Sequence, residues 1–310
     1  MAARIVICEF MDAPAVEALR ARFEVDYRPK LVDDPGALEG ALPWADAWIV
    51  RNRTQVRGRL LEAAAHVRVV GRLGVGLDNI DLAACEARRI EVIPATGANA
   101  ESVAEYVVTA ALMLLRGAYS STRAVEAGTW PRQTLSQGRE AAGKVLGIVG
   151  LGSIGRLTAR KAAAMGMRIV AYDPQLPAGA PAWNEVGAAA RPLEALLRES
   201  DVVSLHIPLT AETRGLLDHA RLATMKPDAI VINTARGGII DEGALAAMLR
   251  EGRLGGAALD VFENEPLASG SPLAGAPRLL LTPHIAGVTV ESNERVSALI
   301  AERVAAALGA

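Results

Sequence analysis

Three glycines constrain the fold of this chain more than any other feature of its sequence. Gly150, Gly152 and Gly155 follow a hydrophobic, strand-like segment at 144–149, and the segment 153–165 after them has helical spacing. The first glycine of such a turn permits its tight bend, the second lets a pyrophosphate approach the backbone, and the third allows the helix to pack on the strand. The pattern predicts a dinucleotide-binding turn, with a purely structural glycine turn as the alternative.

Asp173 strengthens the dinucleotide interpretation. It ends the predicted strand 168–172 and follows the glycines by about 20 residues, the distance expected for the acidic residue of this motif. A carboxylate there accepts hydrogen bonds from a ribose hydroxyl and repels a 2′-phosphate, and no arginine immediately follows it to compensate. We therefore predict NAD rather than NADP as the cofactor. Taken alone, Asp173 could be a strand-end turn residue.

Strand-like and helix-like segments alternate along most of the sequence. Short apolar runs, often β-branched, are followed by alanine-rich segments with helical spacing. This alternation is typical of an α/β fold with doubly wound parallel sheets that helices cover on both faces. Besides the segments named above, the predicted strands are 4–8, 47–51, 67–72, 202–206, 230–233, 257–260 and 279–282, and the predicted helices are 15–22, 59–65 and 100–115.

The length of 310 residues favours two domains, because a single hydrophobic core rarely serves so long a chain. We predict two Rossmann-like domains: a substrate domain of residues 1–98 and 288–310, and an inserted NAD-binding domain of residues 99–287. Asn99 is expected to cap the helix 100–115, which would connect them. The hinges are expected to flank an active-site cleft that closes around both ligands and excludes water.

Composition and charge exclude several classes of protein. The formal net charge is -2 and charges of both signs are interspersed, which argues against a nucleic acid or an anionic membrane as partner. Cys8 and Cys85 are far apart and have no nearby histidine pair, so we expect no disulfide, no metal site and a reducing, cytoplasmic location. The longest apolar stretch, 107–115, is shorter than the roughly 20 residues that cross a membrane, and the amino terminus does not resemble a signal peptide.

Arg236, Glu265 and His284 lie near the ends of successive predicted strands and have complementary chemistry. Hydride removal from an alcohol carbon requires loss of the hydroxyl proton, and histidine exchanges protons near neutral pH, so His284 is the candidate acid/base. Glu265 could fix the tautomer of the ring and favour its protonated form, while the planar guanidinium of Arg236 could orient a carboxylate. Singly, each could be an ordinary surface or strand-end residue. Together, after a dinucleotide motif, they indicate a dehydrogenase.

Eight motifs in a fixed order extend over nearly the whole chain. They are Arg51–Thr54, Gly74–Asp81, Ser102–Glu105, Gly150–Gly155, His206–Thr210, Asn233–Gly237, Asp260–Pro266 and Pro283–Gly287. On these motifs the sequence resembles the D-isomer-specific 2-hydroxyacid dehydrogenase family, particularly its 3-phosphoglycerate dehydrogenase-like branch. The resemblance implies an NAD-dependent oxidoreductase that transfers hydride between nicotinamide and C2 of a small 2-hydroxy or 2-keto acid.

The resemblance also implies roles for single residues. Arg236, Glu265 and His284 take the catalytic roles given above, and Asp260 lies near the nicotinamide end of the cofactor. The other candidate cofactor contacts, besides the three glycines, Asp173, Arg236 and His284, are Ser153, Ile154, His206, Pro208, Thr213, Thr234, Ala235 and Gly287. Ala286 departs from the glycine of many relatives, and a local backbone difference is expected there. No long C-terminal regulatory extension follows, so serine feedback is not expected.

The candidate substrate residues are Arg51, Arg53, Val75, Gly76 and Asn99. The Val75-Gly76 turn resembles the family's backbone-amide cradle for the substrate carboxylate. Two arginines, Arg51 and Arg53, predict a second anion on the substrate, with Arg72 adding positive charge, although solvated loop arginines are an equally open alternative. The candidate substrates are 3-phosphoglycerate, glycerate or hydroxypyruvate, malate-like diacids and 3-sulfolactate.

Other functions and the assembly state remain open at this point. A dinucleotide-sensing binding protein or corepressor could share the fold, and so could a phosphite dehydrogenase. The complete set of Arg236, Glu265 and His284 favours catalysis, and the lack of a basic recognition segment argues against direct nucleic-acid binding. The apolar segment 107–115 lies in a region that resembles the family's dimer-forming helices and predicts a homodimer, with an intramolecular core helix as the alternative.

Overall fold

The chain divides into two compact units. In the computed structural model, which describes residues 2–177 and 179–309, one unit comprises Met1–Asn99 with Val288–Ala310 and the other comprises Ala100–Gly287. The predicted domain limits at residues 1 and 310 fall outside the described residues. The assignment of substrate to one unit and NAD to the other stays a prediction.

Strands and helices alternate through both units. Within the described residues the strands are, in chain order, β1 (Arg4–Ile7), β2 (Glu24–Tyr27), β3 (Ala47–Val50), β4 (Val69–Arg72), β5 (Glu91–Pro94), β6 (Val145–Val149), β7 (Arg168–Tyr172), β8 (Ala189–Ala190), β9 (Val202–Leu205), β10 (Ile230–Asn233), β11 (Gly256–Leu259) and β12 (Leu279–Leu281). The α-helices are α1 (Ala13–Arg20), α2 (Pro35–Ala41), α3 (Gly58–Ala63), α4 (Leu82–Ala87), α5 (Ala100–Arg116), α6 (Thr122–Glu126), α7 (Arg132–Leu135), α8 (Ser153–Ala164), α9 (Pro181–Glu185), α10 (Leu193–Glu199), α11 (His219–Leu222), α12 (Glu242–Arg250) and α13 (Val290–Ala307).

The first unit contains a parallel five-stranded sheet with the strand order β2-β1-β3-β4-β5. Successive side chains of a strand point to opposite faces, and both faces of this sheet are buried. Ile5 and Ile7 of β1 pack into a core with α1 and α13, whereas Trp48 of β3 packs into the core on the other face. Helix α13 lies so close to Gly71 of β4 that an added Cβ would be 2.8 Å from Ile300 Cγ2.

The second unit contains a parallel seven-stranded sheet with the strand order β12-β11-β10-β9-β6-β7-β8. Helices α5 and α8 cover one face, and α10, α11 and α12 cover the other. The chain runs from β6 towards β8 and then crosses to the opposite side of β6 for β9. In open α/β sheets a ligand binds beyond the carboxyl ends of the strands at such a reversal of strand order.

The predicted α/β class with two parallel sheets is confirmed, and the strands that the sequence missed share one position. Strands β2, β5 and β8 are edge strands of their sheets. An edge strand is half exposed and therefore does not need the continuous apolar run that identifies a central strand. The residues of β2, Glu24–Tyr27, include two acidic side chains and none that is fully buried.

Helix α5 confirms the predicted helix, but one expectation about it is wrong and another loses its support. Among the described residues, Asn99 Oδ1 is buried without a hydrogen-bond partner, so it does not cap the helix. Val107, Ala111 and Leu115 are buried in the core of their own unit, as the alternative of an intramolecular helix requires. The apolar character of this segment is therefore no evidence for a dimer. None of the described helices is both long and apolar enough to cross a membrane.

Candidate active site

The glycine turn has three distinct environments. Gly150 has a φ of +96°, and an added Cβ would lie 2.6 Å from the carbonyl oxygen of His206. An added Cβ at Gly155 would lie 2.1 Å from the carbonyl oxygen of Gly150, so this glycine permits helix α8 to pack directly on the turn. A Cβ at Gly152 would meet no atom within 4 Å and would instead fill space beside the start of α8. This open space suits a pyrophosphate, which the backbone amides of Ser153 and Ile154 could approach.

Asp173 is fixed at the end of β7 by backbone amides. Its Oδ2 accepts from the amide of Leu151 at 2.8 Å, and its Oδ1 accepts from the amide of Gln175 at 2.9 Å. Each carboxylate oxygen has a second lone pair, so both can still accept from ribose hydroxyls. The carboxylate therefore stabilises the glycine turn and also suits the adenosine ribose.

Other predicted cofactor residues surround the ends of β9 and β10. Burial lowers the pKa of His206 to about 4, so the ring is neutral at neutral pH. Its Nε2 lies 3.0 Å from Ser204 Oγ. The Thr213 hydroxyl donates to the carbonyl of Pro208 at 2.7 Å and closes the loop after β9. Within the part of the chain that the structure describes, Thr234 Oγ1 is buried without a hydrogen-bond partner, which suits a polar group of a bound cofactor.

His284 and Glu265 form a direct pair. His284 Nδ1 lies 2.8 Å from Glu265 Oε2, and Glu265 Oε1 accepts from the amide of Phe262 at 3.1 Å. The side chains are 43% and 37% exposed, so both can be reached by a ligand. Because Nδ1 is engaged with the carboxylate, Nε2 is the ring nitrogen suited to exchange a proton with a substrate.

A buried carboxylate shapes the loop that carries His284. Asp260 is 1% exposed and accepts from the amides of Ile285 at 2.9 Å and Ala286 at 2.8 Å. The Thr282 hydroxyl donates to Asp260 Oδ1 at 2.6 Å, so Tyr106 of α5 must donate in turn to Thr282, 2.6 Å away. The loop thus receives support from α5 as well as from β11. The amide of Ala286, where a backbone difference was expected, is one of the two that hold the loop.

Arg236 lies on the neighbouring loop after β10. The buried side chain of Asn233 accepts from the amide of Ala235 at 3.0 Å and donates to the carbonyl of Arg236 at 2.8 Å. An added Cβ at Gly237 would lie 1.8 Å from the carbonyl oxygen of Phe262, so the loops of Arg236 and Glu265 touch. The strands β10, β11 and β12 are adjacent and parallel, so the loops that follow them leave the sheet on the same side. Arg236, Glu265 and His284 therefore all lie beyond the carboxyl ends of these strands.

Four of the candidate substrate residues of the first unit follow β3 and β4, and the fifth, Asn99, follows β5. Arg51 donates to Asn293 Oδ1 at 2.7 Å and its guanidinium lies 5.7 Å from the Phe10 ring centre. Arg53 pairs with Asp33 on the surface. Arg72 is buried, and its guanidinium donates to the carbonyls of Gly76 at 2.9 Å and Leu73 at 2.8 Å. It thereby supports the loop that contains Val75 and Gly76.

Sequence reasoning missed several side chains that hold these loops, namely Glu9, Asn79, Tyr106, Asn233 and Thr282. Four of them contact groups that are distant in the sequence, and no local pattern marks such a contact. Asn233 is the exception, because it binds the backbone of Ala235 and Arg236, a local turn that asparagine commonly forms. Asn79 and Asn233 lie inside motifs named above, so their positions were noted but their roles were not. Among the described residues, no group of three or more His, Cys, Asp or Glu side chains could hold a metal ion.

Comparisons with known proteins place the chain in a family. The model of the NAD-binding domain of D-isomer specific 2-hydroxyacid dehydrogenases matches residues 108–286. The chain is 54% identical to an (S)-sulfolactate dehydrogenase of Chromohalobacter salexigens over 98% of both proteins. It belongs to the D-isomer specific 2-hydroxyacid dehydrogenase family, and it is an NAD-dependent oxidoreductase of small 2-hydroxy and 2-keto acids.

Two further comparisons agree with this membership. A D-3-phosphoglycerate dehydrogenase of Mycobacterium bovis is 39% identical over 98% of this chain, which spans 56% of that longer protein. The crystal structure of the TT0316 protein from Thermus thermophilus superposes with a TM-score of 0.89 at 34% identity, over 99% of this chain and 97% of that one. The residue chemistry, the fold and the relatives therefore indicate the same class of enzyme.

Proposed function

We propose that this enzyme acts on 2-hydroxy and 2-keto acids that carry a second anionic group, with 3-sulfolactate and 3-sulfopyruvate as the first candidates. The observation that carries this proposal is Arg51, a partly buried guanidinium whose hydrogen-bond partner is the neutral amide of Asn293. Burial lowers the pKa of Arg51, because the charged form is partly desolvated, and the charge of Glu9 opposes this effect. An anion from the substrate would stabilise such a charge. The relative named (S)-sulfolactate dehydrogenase supports a sulfonate as that anion.

Arg236, Glu265 and His284 are proposed to perform the chemistry. When NAD is bound, it exchanges hydride with C2 of the substrate. In the direction of reduction, protonated His284 donates its Nε2 proton to the oxygen on C2, and in oxidation the neutral ring accepts that proton. Glu265, 2.8 Å from Nδ1, keeps the ring oriented and stabilises its protonated form. Arg236 orients the carboxylate and carbonyl of the keto acid through its planar fork.

The remaining site residues are proposed as ligands of the cofactor or the substrate. In the unit Ala100–Gly287, NAD would contact the glycine turn, Ser153, Ile154, Asp173, His206, Pro208, Thr213, Thr234, Ala235, Asp260 and Gly287, besides Arg236 and His284. In the other unit, the amides of Val75 and Gly76 would bind the substrate carboxylate, and Arg51 and Arg53 the second anion. Asn99, whose buried Oδ1 has no partner among the described residues, is a further substrate ligand in this proposal.

The test is a panel that follows NADH consumption. The panel contains 3-sulfopyruvate, 3-phosphohydroxypyruvate, oxaloacetate and hydroxypyruvate, with pyruvate as the keto acid that lacks a second polar group. We expect the highest kcat/KM for 3-sulfopyruvate. Equal or better turnover of pyruvate would contradict the second-anion assignment. Phosphite-dependent reduction of NAD, or cofactor binding without turnover of any member, would support the alternative of a phosphite dehydrogenase or a dinucleotide sensor.

A homodimer is also proposed, on evidence other than the apolar segment of α5. Tyr119, Val125 and Trp130 are 64%, 45% and 75% exposed and follow α5 closely in the sequence. Val125 and Trp130 line a surface cavity of about 310 Å³ with Pro131 and Leu135. Large exposed apolar side chains in one segment are typical of a contact surface, and a second copy of the chain is the partner proposed.

A cytoplasmic location is proposed from the thiols. Cys8 and Cys85 are both buried and unpaired, and burial raises the pKa of each, to about 11 for Cys8. Such thiols remain reduced and unreactive in a reducing compartment. Cell fractionation with an antibody against the protein tests this location, and recovery outside the cytoplasmic fraction would contradict it.

A further inference from the structure

The loop Arg51–Thr54, which follows β3, is held from one side by a single buried carboxylate. Glu9 Oε1 accepts from the amides of Arg51 at 2.8 Å and Thr54 at 3.1 Å, and Glu9 Oε2 accepts from the amide of Arg53 at 3.2 Å. Glu9 is 4% exposed and follows β1, the neighbour of β3 in the sheet. Three of the four backbone amides of this loop therefore depend on one side chain.

A buried amide holds the same loop through its carbonyl groups. Asn79 Nδ2 donates to the carbonyl of Arg51 at 3.0 Å and to the carbonyl of Thr54 at 2.7 Å. Asn79 is 6% exposed, and its backbone carbonyl accepts from the amide of Val56 at 2.8 Å. Both ends of the loop are thus fixed, since amides bind Glu9 and carbonyls bind Asn79.

The chemistry of these contacts cannot be reproduced by the nearest isosteres. An ionised carboxylate only accepts hydrogen bonds, so both oxygens of Glu9 suit the three N–H groups that face them. A glutamine there would place an NH₂ group against at least one backbone N–H. An aspartate at residue 79 would likewise place a carboxylate against two carbonyl oxygens. Buried polar groups that lose their partners are costly, so either change would alter the loop rather than leave it in place.

We propose that Glu9 and Asn79 are positioning residues that direct the side chains of Arg51 and Arg53 and thereby set the preference for a substrate with a second anion. The inference rests on the proposed function, which assigns these arginines to that anion. The charge of Glu9 also offsets part of the cost of burying the Arg51 guanidinium, so Glu9 acts on the conformation of the loop and on its electrostatics. Neither residue is assigned a contact with substrate.

The test compares the preference of Glu9→Gln and wild-type enzyme for two keto acids. The preference is the ratio of kcat/KM for 3-sulfopyruvate to kcat/KM for pyruvate. We expect Glu9→Gln to lower this ratio about tenfold, through a higher KM for 3-sulfopyruvate, with kcat on pyruvate nearly unchanged. A loss of stability alone would reduce the activity on both substrates equally. An unchanged ratio in a folded Glu9→Gln protein would overturn the inference.

Two further variants keep the test decisive. Asn79→Ser removes the hydrogen bonds to the loop carbonyls without placing a carboxylate against them, and it is expected to lower the same ratio. If Glu9→Gln does not fold, an unchanged ratio in Asn79→Ser overturns the inference. Asp46→Asn is the matched control, because Asp46 also accepts from a backbone amide in this unit, that of Arg4 at 2.8 Å, away from the loop. It should leave the ratio unchanged.

Arg51→Gln separates this inference from the proposed function. If Arg51→Gln lowers the ratio and the Glu9 and Asn79 variants do not, the arginine assignment stands and the positioning role is wrong. If Arg51→Gln leaves the ratio unchanged, the assignment of Arg51 to the second anion fails, and the positioning role that acts through Arg51 fails with it. A fall in the ratio for all three variants supports both.

Discussion

At the residue scale, the chemistry of the site depends on how neighbouring groups restrict a few polar side chains. The imidazole of His284 has one nitrogen on Glu265, and Glu265 in turn accepts from the amide of Phe262. Asp260 fixes the backbone on the far side of the histidine through two amides. The ring is therefore restrained from both directions, which is what a proton donor needs if it is to meet one substrate oxygen repeatedly.

Replacing His284 with alanine should chiefly lower kcat. General acid–base catalysis contributes about 10² to 10⁴ in rate, so a defect of that order is expected, with a smaller change in KM. Steady-state NADH consumption on the best substrate measures both constants. His219→Ala, which changes the exposed histidine at the start of α11, is the matched control and should behave like the wild type. An unchanged kcat in a folded His284→Ala protein would exclude His284 as the proton donor.

Replacing Glu265 with glutamine should chiefly lower kcat for keto-acid reduction. The carboxylate lies 2.8 Å from His284 Nδ1 and orients the ring, so that Nε2 can meet the substrate oxygen. A glutamine holds the ring less firmly, so proton donation should be slower while KM changes less. Steady-state NADH consumption measures both constants. Glu263→Gln, a change to a neighbouring exposed carboxylate, is the control, and an unchanged kcat in a folded Glu265→Gln protein would refute the pairing role.

Replacing Asp173 with alanine should weaken the preference for NAD over NADP. The change removes acceptors for the ribose hydroxyls and the repulsion of a 2′-phosphate. Because Asp173 also accepts from the amides of Leu151 and Gln175, Asp173→Asn is the companion variant, which removes the charge and keeps one acceptor oxygen. Both should raise the ratio of kcat/KM with NADPH to kcat/KM with NADH. Comparable efficiency with the two cofactors in the wild type would contradict the role of this carboxylate.

At the scale of elements, single buried polar groups connect segments that are distant in sequence. Asp201, in the turn before β9, accepts from the amide of Val145 at the start of β6 at 2.7 Å and from Lys226 Nζ at 3.0 Å. Burial by itself would raise the pKa of Asp201, but the Val145 amide and the charges of Lys226 and Lys144 outweigh that effect and lower it below its ordinary value of 3.8. The ionised carboxylate therefore helps to hold β6 beside β9.

Asp201→Asn should lower the free energy of unfolding at neutral pH by about 1 to 3 kcal/mol, the usual cost of losing a hydrogen bond to a charged group. A carboxyl whose folded pKa is lowered stabilises the fold above its unfolded pKa and loses that effect as the pH falls through the folded pKa. The difference between variant and wild type should thus be constant from pH 7 to about pH 5 and narrow below about pH 4. Denaturant unfolding at several pH values measures it.

The ion pair of half-buried Arg139 with exposed Asp228 provides the control for this prediction. Asp228 is 58% exposed, and surface ion pairs contribute only about 0 to 1 kcal/mol. Asp228→Asn should therefore change stability little. Equal effects of the two substitutions on the free energy of unfolding would show that the contact of Asp201 with β6 stabilises the fold no more than a surface ion pair does.

At the scale of the whole molecule, the exposed apolar side chains after α5 predict assembly. Light scattering should give the mass of a dimer, twice 32.5 kDa. Trp130→Glu, which places a charge on the proposed contact surface, should shift the mass towards that of one chain as the protein is diluted. The control Trp44→Glu changes another exposed tryptophan, in the first unit, and should leave the mass unchanged. A wild-type mass of one chain across a wide concentration range would reject the dimer.

The sequence by itself determined the features that arise within a few residues of one another. Gly150, Gly152 and Gly155 define a turn between a strand and a helix. Asp173, Arg236 and His284 each follow a strand, which places them beyond the carboxyl ends of the sheet, where ligands bind. These short-range patterns were sufficient to predict the α/β class, which the structure confirms, and to propose the candidate catalytic set.

Only the tertiary structure decided which side chains hold those groups in place. Glu9 and Asn79 meet at the loop after β3 because β1, β3 and β4 are neighbours in the first sheet, and Tyr106 reaches Thr282 because α5 lies on the face of the second. The edge strands and the burial of α5 also follow from sheet order. Contacts between residues far apart in the chain depend on strand order and register, which no local pattern of side chains specifies.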